Sequence, residues 1–108
     1  MIARIWHGKT TTEKADAYMK EYFLQTGLAD YQATEGNQGV IILRNDENGQ
    51  ADFLMLTLWD SDESIRKFAA EDINKARYYP DDKKYFDEME SNVAHYEVLI
   101  NNANEKSK

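Results

Sequence analysis

The chain has 108 residues, with 13 Lys plus Arg against 20 Asp plus Glu and a formal net charge of -7. That length suits one globular domain, and the acidic balance argues against nucleic acid or an anionic bilayer as partner, because both need a basic stripe and the longest basic run is Lys83-Lys84. The absence of cysteine removes disulfides, thiolate metal sites and thiol nucleophiles, and two histidines, His7 and His95, do not alone make a metal centre.

In chain order, Ile2 to His7 forms a β-rich run stopping at Gly8. No apolar run reaches the roughly 18 residues of a membrane span, and this amino terminus lacks an apolar signal core, so a cytoplasmic location is expected. Thr10 to Glu13 has capping-box spacing, and Ala15, Tyr18, Met19, Tyr22 and Phe23 then mark one helical face, with Gly27 as its stop. Leu28 to Gln38 reads as a long loop. Gly39 to Arg44 and Phe53 to Trp59 read as hairpin strands around the turn residues Asn45 to Gln50.

Asp60 to Glu63 offers a second capping box, followed by the helical face Ile65, Phe68, Ala69, Ile73 and Ala76. Pro80 breaks that helix, and Asp81-Asp82 begins a short one carrying Tyr85, Phe86 and Met89. Val93 to Ile100 is the last strand. The domain thus spans residues 1–100, with 101–108 as a polar tail. The order is βαββαβ, an α+β, ferredoxin-like pattern with a four-stranded antiparallel sheet.

Helices on one side of such a sheet leave the other side bare, and that side should alternate to polar residues if it meets water. Here both sides are largely apolar: Leu54, Leu56 and Leu58 oppose Phe53, Met55, Thr57 and Trp59, and Ile41 and Leu43 oppose Val40, Ile42 and Arg44. A second copy packed on the bare face, giving a homodimer, is the expected cover.

The opening Ile2-Ala-Arg-Ile-Trp-His-Gly8, Gly36-Asn-Gln-Gly39, Leu58-Trp-Asp-Ser61, Phe68-Ala-Ala-Glu-Asp72, Ala76-Arg-Tyr-Tyr-Pro80 and His95-Tyr-Glu-Val98 stand in a familiar order. Through them the chain resembles the antibiotic biosynthesis monooxygenase family, within the dimeric α+β barrel superfamily, from Ile2 to about Leu99. The resemblance implies a homodimer with a pocket in each subunit between helices and sheet. It implies oxidation of a small or polycyclic aromatic by O2, phenol or anthrone to quinone, without flavin, haem or metal. An electron-rich phenolate can itself reduce oxygen, so the protein need only bind a flat body, remove a proton and stabilise an anion.

Candidate polar residues are Arg4, His95, Asp72 and Tyr78, with Trp6, Phe68 and Tyr79 as pocket walls. Arg4 either stabilises a phenolate or peroxide anion or pairs with a carboxylate such as Glu97. Trp6 stacks on substrate or fills the core, and Phe68 has the same two readings. His95 is a candidate base, titrating near pH 6.5 when unperturbed, or a structural histidine; His7, at the strand's end, reads as exposed. Asp72 falls on the apolar face of the second helix, as a base of raised pKa or in an ion pair with Arg77 or Arg4. Tyr78-Tyr79-Pro80 stands where a rim or lid would lie. Haem-degrading relatives use an asparagine, a tryptophan and a histidine where this chain has Trp6 or His7, Phe68, and Tyr78 or Arg77. A non-catalytic small-molecule binder on the same scaffold is the alternative to the enzyme, and haem binding or degradation is the third reading.

Overall fold

The computed structural model describes residues 1–69, 72–77 and 82–102. Strand β1 (Ile2–Thr11) runs through the middle of the sheet and ends where the Thr11 hydroxyl accepts the Lys14 backbone N–H at 3.2 Å. The cap is therefore one residue later than the sequence spacing indicates, and Thr10 is still a buried strand residue. Helix α1 (Thr12–Ala17), a π-helical segment (Tyr18–Gly27) and α2 (Leu28–Ala33) follow without a break.

Gly27 does not stop the helix. Its φ of -63° is helical, and a Cβ there would lie 2.8 Å from the Phe23 ring, so the glycine serves close packing and the helix continues through the stretch expected to be a loop. The chain reverses instead at Gly36, whose φ is +94°.

Strands β2 (Asn37–Glu47) and β3 (Gln50–Trp59) form a hairpin longer than the apolar runs suggest. Asn48 and Gly49, with φ of 52° and 77°, make its two-residue turn, the positive-φ pair that matches the strands' twist. Helix α3 (Asp62–Ala69) is capped by the Ser61 hydroxyl, which accepts the Ser64 N–H at 3.2 Å. The expected continuation to Ala76 is not helical within the described residues, since 72–75 form a turn closed by Lys75 N–H to the Asp72 carbonyl.

Helix α4 (Asp82–Tyr85), β4 (Glu88–Met89) and β5 (Ala94–Glu97) complete the described chain. The sheet order is β2-β3-β1, with both β4 and β5 on the far edge of β1. The sheet thus has five antiparallel strands rather than the expected four. Between β4 and β5 the backbone leaves β1 to bond with 74–76, through Ala76 N to Ser91 O at 2.9 Å and Val93 N to Asn74 O at 2.8 Å. The fold class is α+β and ferredoxin-like.

Residues opposite one another in antiparallel strands share a face. Arg4 thus shares the helix-covered face with Thr57 and His95, and Trp6 shares it with Met55. Two buried clusters lie on that inner face, one around Tyr18, Phe53 and Phe86, the other formed by Trp59, Ile65 and Phe68, and Tyr31 packs against both. The outer face carries Leu54, Ile41, Leu43 and Tyr96, which are 39%, 47%, 47% and 58% exposed. No helix among the described residues is long and apolar enough to cross a membrane.

Candidate functional site

A hollow opens between the two inner clusters. It has about 510 Å³ of atom-free space counting its open mouth, of which about 40 Å³ admits a water molecule's centre. From β1 it takes Arg4 and Trp6, from β3 Met55, and from the helices Tyr18, Tyr31 and Phe68. Gly8 makes room for the indole: a Cβ there would sit 2.2 Å from the Trp6 ring. The opposite wall is Phe86, 5.1 Å from Trp6 edge to face. This aromatic lining suits a flat apolar body.

Arg4 is the outstanding polar element. It is only 4% exposed, and its guanidinium donates to the backbone carbonyls of Ile73 at 2.8 Å and Lys75 at 3.0 Å. Among the described residues no carboxylate stands within ion-pair distance of it; in particular Glu97, the expected partner, faces Ile2 across the sheet. Burial pushes its pKa below the usual arginine value, yet a guanidinium stays charged at neutral pH. A buried charge met only by carbonyl dipoles favours an anion nearby, since desolvating an unpaired ion costs several kcal/mol. Two of its five N–H groups are bonded to those carbonyls.

Tyr31 stands beside it in the hollow. Its ring stacks on Phe68 with centroids 4.4 Å apart, and its hydroxyl donates to the Met55 sulfur at 3.3 Å. Burial pushes the phenol up to about 12, against the pull of Arg4 and Arg77, so it remains protonated near neutrality. Arg77 lies over the other ring of that stack, 4.6 Å from the Phe68 centroid, pairs with Asp30 at 3.0 Å and donates to the Phe68 carbonyl. Asp82 is the buried carboxylate that lines the hollow.

The sequence candidates are scattered by comparison. Trp6 and Phe68 line the hollow with Arg4. His95 shares the inner face with Arg4 across the β1–β5 pairing but is not among the lining residues. Its Nε2 is buried without a partner, and burial, then the charge of Arg4, lowers its pKa, so the ring is neutral. Asp72 requires a correction. It is exposed, lies beyond α3, and its carboxylate accepts the Asn74 backbone N–H at 3.1 Å instead of pairing with Arg4 or Arg77. A short polar side chain that bonds its own turn competes with the helix there. Tyr78 and Tyr79 lie outside the described residues. His7 faces outward, half-buried, with Nε2 on Asp52 at 2.5 Å and Nδ1 on Glu90 at 2.8 Å.

The sequence reading missed Tyr31, Met55 and Asp82 as site residues. A signal for Tyr31 was available: Phe23, Gly27 and Tyr31 fall at i, i+4 and i+8, which continues the first helix's apolar stripe past the glycine.

No family model matches the chain, and no curated protein does. Among solved structures it is similar to the haem-degrader MhuD from Mycobacterium tuberculosis, described with two haems bound in its active site. The TM-score is 0.59 at 17% identity, over 94% of this chain and 98% of that one. That likeness bears on the fold alone, an α+β fold of the ferredoxin-like kind.

Proposed function

We propose that the inner hollow binds a flat aromatic molecule carrying an anionic oxygen, and that the chain's activity is the oxidation of that molecule. The observation that carries this reading is Arg4, a buried guanidinium with no carboxylate partner among the described residues, set in an aromatic-lined hollow. A bound phenolate or carboxylate supplies the missing negative charge, and the rings supply the apolar contact.

Two ligand sizes remain, each favoured by one observation. The similar structure's bound haems favour haem as substrate, with its two propionates as the anions. For haem the described lining holds Tyr18, Tyr31 and Met55 as the side chains chemically able to meet iron, and no histidine. The narrowness of the hollow favours a smaller phenol or anthrone. In that case O2 delivers one oxygen atom to the ring carbon and the other leaves as water with the two hydrogens removed. Arg4 holds the phenolate, and His95 and Tyr78 remain the proposed proton-handling groups, with Tyr79 as a proposed substrate-binding residue.

We further propose that a second copy covers the outer face, where Leu54, Ile41 and Leu43 stand exposed. Such a face suits a self-complementary two-fold interface.

The test is titration with hemin and, separately, with 1-naphthol and anthrone under oxygen. The reading predicts saturable binding of at least one of them. It predicts loss of the hemin Soret band with reductant, or quinone formation from the phenol. Absence of binding by all three contradicts it.

A further inference from the structure

The hollow contains a second group suited to an anion, and it is spent on a poor acceptor. Tyr31 is the hydroxyl in question. Its one hydrogen bond among the described residues runs 3.3 Å to the Met55 sulfur, and a thioether is a weak acceptor. The ring that carries it is fixed from both sides, stacked on Phe68 at 4.4 Å and meeting Trp59 edge to face at 6.4 Å. Both Tyr31 and Met55 line the hollow with Arg4 and Arg77, and both arginines act on the phenol electrostatically.

We infer that Tyr31 is the specificity-determining donor of the site: its hydroxyl leaves the Met55 sulfur for the anionic oxygen of the ligand, selecting ionised flat aromatics over neutral ones of the same shape. This rests on the proposed function of the hollow. Replacing a thioether by a charged oxygen converts a weak hydrogen bond into a charge-assisted one, a gain absent for a neutral ligand. The phenol acts as a donor and not as a base, because burial keeps its proton on. A neutral alcohol of the same shape accepts only an ordinary hydrogen bond in place of the thioether's, and it brings no counter-charge to Arg4.

The experiment uses two fluorescent probes with one tricyclic body, anthracene-9-carboxylate and 9-anthracenemethanol, titrated into the intact chain at neutral pH. Wild type is expected to prefer the carboxylate. Tyr31→Phe keeps the stacked ring and removes the hydroxyl. It should weaken the carboxylate by about tenfold or more, the range for a hydrogen bond to a charged partner, and leave the alcohol within about twofold. Met55→Leu removes the competing acceptor, and is expected to tighten the carboxylate while leaving the alcohol unchanged.

If wild type binds the carboxylate and Tyr31→Phe binds it equally well, the assignment of Tyr31 is overturned while the hollow's function stands. Equal loss of both probes in Tyr31→Phe also overturns it, because that is the signature of a packing role. Failure of wild type to bind either probe, together with hemin and the phenols, overturns the function of the hollow itself.

Discussion

The two faces of the sheet are both apolar, but they are built from different side chains. The inner face is aromatic and holds a buried cation: Trp6, Phe53, Trp59 and Arg4 point toward the helices. The outer face exposes the aliphatic side chains Leu54, Ile41 and Leu43, with Tyr96 and the His7 clamp on Asp52 and Glu90 on the same side. Rings around a guanidinium leave a hollow with directional chemistry, whereas flat rows of leucine and isoleucine offer contact area only. The difference teaches that apolarity alone does not distinguish a ligand site from a subunit interface. A buried charge held by carbonyls, with no ion-pair partner among the described residues, does.

The largest expected effect breaks the outer face. Leu54→Asp together with Ile41→Asp should turn the proposed dimer into monomers, because unpaired carboxylates would be buried at the interface. Sedimentation at micromolar concentration checks it; a wild type that is already monomeric removes the dimer. Next, Trp59→Ala removes a fully buried ring beside Ile65 and Phe68 and should cost about 3–5 kcal/mol in chemical denaturation. A smaller truncation on the bare face of one subunit, Leu43→Ala, should cost far less than the roughly 2–5 kcal/mol of a buried Leu→Ala at concentrations where the chain is monomeric. Gly8→Ala pushes a methyl into the Trp6 ring, and is expected to cost about 1–3 kcal/mol and to shift the indole's fluorescence.

The smallest effects separate the faces by pH. His7, on the outer face, has its pKa raised above 6.5, first by its bond to Glu90 and then by that to Asp52. A neutral imidazole has one N–H and cannot donate to both carboxylates, so the clamp belongs to the protonated ring. A raised folded-state pKa gives stability that is full below the unfolded value and lost as pH rises through the folded one. The melting advantage of wild type over His7→Gln should therefore shrink as pH is raised above 6.5. His95, on the inner face, has the opposite sign. Its folded pKa is lowered, so the stability it gives is present above 6.5 and is lost as pH falls through the folded value. Melting curves of His95→Asn against wild type check that direction.

Much of this contrast was legible in the sequence. Period-two alternation in β3 placed Leu54, Leu56 and Leu58 on one side and Met55 and Trp59 on the other, because the pleat leaves no other arrangement. Arg4 and Trp6 were assigned to a common side on the same ground. What the sequence hid depends on long-range packing. Gly27 looks like a helix stop in isolation, and only the Phe23 ring against its Cα explains why it is not one. With Gly27 read as a stop, the residues of α2 read as a loop and Tyr31 falls outside the helical stripe. Counting from Ile65 puts Asp72 on a helix face, but Asp72 is not helical: it opens the turn closed by Lys75 N–H on its carbonyl, so the count does not carry to it. The carbonyls that hold Arg4 lie 69 and 71 residues away, beyond any local pattern.

The most direct test of the account is the affinity difference between an ionised and a neutral aromatic of one shape, measured in wild type and in Arg4→Met. The account predicts that anthracene-9-carboxylate binds wild type more tightly than 9-anthracenemethanol, and that Arg4→Met removes most of this preference, leaving the share carried by Tyr31, while still binding the alcohol. A preference for the carboxylate that is undiminished in Arg4→Met would contradict it.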